Sequence, residues 1–314
     1  MLAFILRRLG FLLLTMALVS AAVFFISEIV PLDVARNILG EFATDDQVAA
    51  LRERMGLDRP AHVRYGEWVA RLLRGDLGVS TLSGTPVLPL ILRRAGNSAV
   101  LAAVAFLAIM PLGLLLGVLA GLREGRLLDR TISLGGLITT SIPPFASGVL
   151  LIVLFALWLP WLPGTSALAT ETWAWEVPSK LVLPVLALVL ADAGYVARMT
   201  RASVSDVMGT AYVRTAILKG LPFHRVVLHH VLRNALLAPI TVVALHLNWL
   251  MGGLVVLESL FAFPGLGRLM LDAALNKDVP VIEAGALVAT FVAVASQCTA
   301  DIAYTALNPR IRYR

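Results

Sequence analysis

The chain has 314 residues, of which 59% are hydrophobic and only 15% charged, against about 25% charged in an average soluble domain. A soluble fold of this length needs a charged skin that this composition does not supply, and the mean hydropathy of +0.85 agrees. One cysteine, Cys298, excludes an internal disulfide and a thiolate metal cage.

Runs of about 20 apolar residues cross the hydrocarbon core of a bilayer as helices. Six are present: Leu9–Val30, Ser98–Gly121, Ile132–Leu159, Leu181–Ala197, Leu236–Leu257 and Val281–Leu307. The expected fold is therefore an all-α integral membrane protein with six transmembrane helices. The first run follows Arg7-Arg8 but is longer than the apolar stretch of a cleaved signal peptide, so residues 1–30 read as an uncleaved first helix with a cytoplasmic N-terminus.

Placing both termini in the cytoplasm puts fourteen Lys and Arg residues in inner segments and only Lys180, Arg268 and Lys277 in the two short outer loops. That asymmetry sets the orientation. The net charge of +6 then faces the inner leaflet and cytoplasmic partners, which argues against nucleic acid. The long outer loop, 31–97, carries nine arginines among eight acids, and loops longer than about 60 residues are translocated whatever their charge.

Within that loop, "TDDQVAALRERMGL" puts Val48, Leu51 and Met55 at helical spacing, with Thr44 or Asp45 as N-cap. "RYGEWVARLLRGDLG" repeats the pattern with Trp68, Leu72 and Leu73 and ends at Gly75. Both predict short amphipathic helices, lying at the outer membrane face or forming a solvated cap. "PVLPLILRR" leads back into the bilayer, and residues 98–314 form the core of five spans.

Chemistry of the chain's own is scarce. None of the three lysines, Lys180, Lys219 and Lys277, follows a glycine, so no G-x-x-x-x-G-K-[ST] phosphate loop exists. There is no H-E-x-x-H, and His224, His229 and His230 are not spaced to share a helix face as metal ligands. "GVST" at 78–81 imitates a serine-hydrolase pattern without a partnering histidine. No catalytic residue, metal site or cofactor site is therefore expected. Glu28, Asp192, Glu258, Glu283 and Asp301 lie in or at the ends of the spans, where carboxylates are functional suspects. Four of them fall within about two turns of a span end, within reach of the interface. Asp192 is the exception only if the fourth span is short. The pattern favours structural roles over ion coupling.

Packing signals are plainer. Gly113, Gly117 and Gly121, four apart in "GLLLGVLAG", make a flat face for close helix approach. Pro111 precedes that face, the prolines of "SIPPF" break the third span, and Gly252-Gly253 loosens the fifth. Such breaks survive in lipid only where protein or a water-filled cavity covers the freed backbone groups.

Between spans four and five, "SVSDVMGTAYVRTAILK" predicts a helix from Ser203 to Lys219 with Val207, Met208, Ala211 and Thr215 along one side. Gly220 supplies a left-handed stop and Pro222 suits the first turn of the next helix, which carries Phe223, Val226, Val227 and Val231. Two helices thus meet at a sharp corner, either a rigid knob for a neighbouring protein's groove or a plain chain reversal.

These features and several longer strings resemble the membrane permease of bacterial ABC importers of the dipeptide, oligopeptide and nickel family. The strings are "ILRRLGFLLL", "MGLDRP", "LLRGDLGVS", "SIPPFASGVLL", "VARMTRASVSDVM", "YVRTAILKGLPFHRVVLHHVLRNALLAP", "LESLFAFPGLGRLM" and "NPRIRYR", and they cover nearly the whole chain. The resemblance implies a type I ABC importer permease fold in the bacterial inner membrane, with an EAA-type coupling loop at about 203–234 docking on an ATPase. Arg214-Thr215-Ala216 and Gly220 stand where the family has E-A-A-x-x-x-G; Arg214 replaces its glutamate, Ala211 its aspartate before the tyrosine, and Asn308 an aspartate of the tail. The coupling residues implied are Ala211, Tyr212, Arg214, Thr215, Ala216, Lys219, Gly220, Leu221, Pro222 and Arg225.

It also implies partners: a second, homologous permease subunit, two ATPase subunits that bind ATP and Mg2+, and an extracytoplasmic solute-binding protein. That protein would meet the long first loop and the "FAFPGLG" region. The expected cargo is a dipeptide or oligopeptide, with nickel chelates, opines or oligosaccharides as alternatives. An ion-coupled secondary transporter would show paired broken helices in two halves of the chain, and no internal repeat of that kind is visible. An intramembrane enzyme would need a nucleophile or metal set at depth, and none is assembled.

Overall fold

In the computed structural model, the described residues are 2–29, 36, 39–40, 42–55, 58–169, 172–236, 239 and 254–307. The described chain is helical, with one isolated β-bridge between Val79 and Pro86. In order the helices are α1 (Leu2–Ile29), α2 (Asp45–Met55), α3 (Ala61–Leu73), α4 (Val87–Gly121), α5 (Leu127–Ser141), α6 (Pro144–Ile152) and α7 (Ser179–Met208). Then follow α8 (Ala211–Leu218), α9 (Phe223–Val226), α10 (Leu232–Ala235), α11 (Leu266–Leu275) and α12 (Val279–Leu307).

Among the described residues, four helices are long and apolar enough to cross a membrane, with windows Gly10–Ser27, Val87–Gly121, Ser179–Met208 and Val279–Thr299. The predicted third span is the pair α5 and Pro144–Trp158, whose arms meet at 97° and pass the same test when taken together. Most of the fifth predicted run, Leu236–Leu257, lies outside the described residues, as do Gly252-Gly253, the tail from Asn308 onward and the side chains of Glu28 and Asp301.

Sharpness at the break has a local cause. Pro144 removes a donor, and a residue before proline avoids helical angles. Ile142 (φ −87°, ψ 125°) and Pro143 (φ −57°, ψ 142°) are accordingly extended. Pro111, by contrast, sits inside α4 without ending it. The second span is also longer than the apolar run alone suggests, since its helix begins at Val87.

The chain divides into two compact units. The first, residues 1–98 with 264–295, holds the long loop. Thr44 caps α2 as predicted and forms a reciprocal pair, its amide donating to Gln47 Oε1 (3.1 Å) while its Oγ1 accepts from the Gln47 amide (3.4 Å). Tyr65 and Trp68 of α3 lie against Phe24 of α1 at ring distances of 5.4 and 5.9 Å, and Tyr65 hydrogen-bonds Ser20 (2.9 Å). Leu73, expected on that same face, is exposed, because α3 ends there and turns through Gly75.

Ser80 and Thr81 of "GVST" prove structural. Buried Asp278 accepts from both hydroxyls and from the Thr81 amide (3.1 Å), which pins the turn at 80–83 to the start of α12. Glu283, 6% exposed, accepts from Ser27 Oγ (3.1 Å).

The second unit, residues 99–263 with 296–314, has its core between α4, α6, α7 and residues 254–263. Leu101, Ile109, Leu183, Leu188, Leu257, Phe261 and Phe263 are buried there. The acids of this core lie inside the protein: α7 runs to Met208, which leaves Asp192 in the middle of the helix, and both Asp192 and Glu258 are buried. Phe261 and Phe263 offer no surface to a docking protein either, since both are completely buried.

Candidate functional site

The corner between α7 and α10 is built by three local devices. The first is a break that sequence periodicity misses: α7 stops at Met208, where Gly209 and Thr210 donate to the carbonyls of Ser205 (3.1 Å) and Val207 (3.1 Å). Thr210 turns extended (ψ 151°) and α8 starts afresh at Ala211, so no single helix runs from Ser203 to Lys219.

The second device ends α8. The Gly220 amide donates to Ile217 O (2.9 Å) and the Leu221 amide to Ala216 O (3.4 Å), with Lys219 as C-cap and Gly220 at φ +74°. This is a Schellman closure, which needs a left-handed residue after the cap. Leu221 and Ala216 pack into the same buried cluster, the apolar contact that accompanies such closures. The third device is Pro222, which stands as N-cap of α9 rather than inside its first turn.

The corner rests on Val204, Val213, Ala216, Val226, Val231 and Ala235, with Val118 and Leu122 beneath. Burial reassigns the faces read from the sequence. Ala211 and Thr215 are exposed, and Val213 and Ala216 are the packed positions, because the restart at Ala211 rotates the register. Phe223 likewise points outward, while Val226, Val227 and Val231 are buried as expected. Tyr212 is fixed by Asn234 Nδ2 (3.1 Å), which also donates to His230 O (3.0 Å), and Ser203 Oγ donates to Ala235 O (2.6 Å).

Of the ten residues proposed for coupling, Ala211, Tyr212, Arg214, Thr215, Lys219, Gly220, Pro222 and Arg225 are exposed together on this corner. Ala216 and Leu221 face inward and shape it. Three residues outside the expected coupling set are exposed beside them: Ile217, Phe223 and, at 81%, Leu218. The signal for Leu218 was present, since it falls off the Val213–Ala216 stripe immediately before the helix stop. The corner thus exposes apolar side chains on the same short segment as Arg214, Lys219 and Arg225. Exposed apolar groups beside cations on a rigid projection suit a partner's groove. No cluster of three or more His, Cys, Asp or Glu residues that could hold a metal occurs among the described residues.

Behind the corner, α7 meets α4 along the glycine face. A β-carbon at Gly113 would lie 2.7 Å from Val196 Cβ, and one at Gly121 2.7 Å from Val204 Cβ. Gly117 faces Thr200 and the Ala197 carbonyl as closely. Gly136 of α5 and Gly194 of α7 bring two backbones into direct contact.

Comparison with known proteins places this architecture. Residues 113–313 match the family described as "Binding-protein-dependent transport system inner membrane component". Residues 1–105 match "Binding-prot-dependent transport system membrane comp, N-term". A protein of Sinorhizobium fredii named "Probable peptide ABC transporter permease protein y4tP" is 35% identical, covering 99% of each chain. A Brucella abortus protein named "Putative peptide transport system permease protein" is 36% identical over the full length of both chains. The "Glutathione transport system permease protein GsiC" of Salmonella choleraesuis is also 36% identical over the full length of both. A crystal structure of an amino acid ABC transporter with histidines superposes with a TM-score of 0.54 at 13% identity, covering 69% of this chain and 94% of that one.

Proposed function

Because this chain belongs to the binding-protein-dependent transport system inner membrane component family, as a multi-pass permease of an ABC importer, we propose that it forms half of a peptide pathway worked from the corner at 211–225. The relatives named for peptide and glutathione transport support a peptide cargo. The energy comes from two cytoplasmic ATPase subunits, which bind ATP and Mg2+. An extracytoplasmic binding protein delivers the cargo, and a second permease subunit completes the pathway.

The observation that carries this reading is the corner itself. A loop that only reversed the chain would not need a Schellman closure, a buried valine base and an exposed Leu218. Ile217, Leu218 and Phe223 enter a groove of the ATPase, and Arg214, Lys219 and Arg225 meet acids at its rim. Central apolar anchors of this kind carry most of an interface's energy, about 2 kcal/mol or more each. Rim charges govern encounter more than affinity.

Co-purification with the ATPase subunits tests the assignment. Leu218→Asp leaves the amount of membrane-inserted chain unchanged, but loses ATPase retention and uptake of a labelled dipeptide at least tenfold. Wild-type retention in that variant, or dipeptide uptake by the purified chain without any ATPase, overturns it.

A further inference from the structure

A second polar construction lies one helix away from the corner. Asp129, in the first turn of α5, is 3% exposed. Its carboxylate accepts from both the Nε and the Nη2 of Arg201 in α7, the latter at 2.7 Å. It also accepts from the Gly125 amide (2.9 Å) and Ser133 Oγ (3.3 Å). Arg201 is further 3.8 Å from Glu124, which accepts from Ser205, one turn along α7. Two side chains of α7 therefore hold Glu124 of the segment joining α4 to α5 and Asp129 of the first turn of α5.

The position of this fork is what gives it consequence. Arg201 sits about two turns before the end of α7 at Met208, and only Gly209 and Thr210 separate that end from α8. On a neighbouring face Thr200 and Val204 fill the Gly117 and Gly121 notches of α4, and Ser203 holds α10. The last turns of α7 are thus a strut to which the corner is fixed. Farther up the same helix pair, Gly136 and Gly194 touch backbone to backbone, with no side chain to interlock. Hence α5 is locked to α7 at Asp129, bears on bare backbone at Gly136, and ends at the 97° break with α6. A fixed end, a smooth bearing and a bend make a lever.

We propose that the Arg201–Asp129 fork is the joint that passes movement of the docking corner to the bent third span; both are positioning residues for coupling. This rests on the docking reading above. The guanidinium suits the task because its planar fork fixes orientation as well as distance, which the point charge of a lysine does not. Ion pairs of this burial contribute little net stability but are costly to break one-sidedly, so their value lies in geometry.

The test uses the complete transporter in proteoliposomes, with ATPase retention, ATP hydrolysis stimulated by the binding protein, and dipeptide uptake per ATP measured together. Arg201→Lys and Asp129→Asn keep ATPase retention within about twofold of wild type, while uptake per ATP falls at least tenfold. The exchange of both charges, Asp129→Arg with Arg201→Asp, recovers at least threefold over the weaker single variant. Unchanged uptake per ATP in both single variants overturns the proposal. So does a loss explained wholly by less assembled complex. If the single variants do not assemble, the exchange decides: assembly with wild-type uptake per ATP supports the joint, and assembly with low uptake per ATP overturns it. A docking failure looks different, since ATPase retention is then indifferent to Leu218→Asp.

Discussion

Along α4, Gly113, Gly117 and Gly121 have no room for a β-carbon, whereas around Gly220 nothing lies within 4 Å of where one would stand. The first region needs glycine for space. The second needs it for its backbone angle of φ +74°. The two also differ in what they serve: the ridge lets two long helices close on each other, and the corner holds a short helix away from them. Glycine in a membrane chain thus marks a contact in one place and a projection in another, and only its surroundings tell which.

Substitutions separate the two, beginning with the largest effect. Gly117→Val drives a branched side chain into Thr200 and the Ala197 carbonyl, and overpacking of this kind costs about 3 kcal/mol. The folded fraction in detergent, followed by size exclusion after heating, falls steeply. Wild-type thermal stability in that variant would break the comparison. Gly220→Trp does the reverse: its indole projects into open space, so inserted, folded protein is retained while uptake is lost at least tenfold.

Gly220→Ala comes next, with a thermal-stability loss of about 1 kcal/mol from the left-handed angle alone. Gly220→Asn loses less, because asparagine tolerates that region; equal losses for both would show that space, not angle, governs the site. The smallest effect concerns two further helix ends closed by the same hydrogen-bond pattern. Phe263 donates to Glu258 O (2.8 Å) with Ala262 at φ +54°, and Asp278 donates to Ala273 O (2.8 Å) with Lys277 at φ +58°. There Ala262→Gly and Lys277→Gly each raise the melting temperature, by the equivalent of up to about 1 kcal/mol. A fall in either would mean that the side chain, not the angle, matters at that turn.

Much of this was legible in one dimension. Apolar runs located the spans that the described residues hold, "SIPPF" the break, the fourfold glycine spacing a close contact, and Gly220 with Pro222 a corner. Each signal is local, because proline and glycine act on their own backbone angles and periodicity acts over a few turns. The size of the bend was not legible, nor was the restart at Gly209-Thr210, which turned Ala211 and Thr215 outward and Val213 and Ala216 inward. Methionine followed by Gly-Thr does not stop an amphipathic pattern on paper, and the Val204–Ala235 cluster beneath it decides where the register resets.

The sequence by itself determined that the chain is a helical membrane protein, its family, and a glycine-closed corner between two spans, because composition, motif and local angle are properties of neighbouring residues. Only the tertiary structure decided that Leu218 is exposed, that Asp278 holds Ser80 and Thr81, and that Asp129 belongs to Arg201. Those partners lie 72 to 198 positions apart, and no local preference carries information over such a distance; packing brings them together.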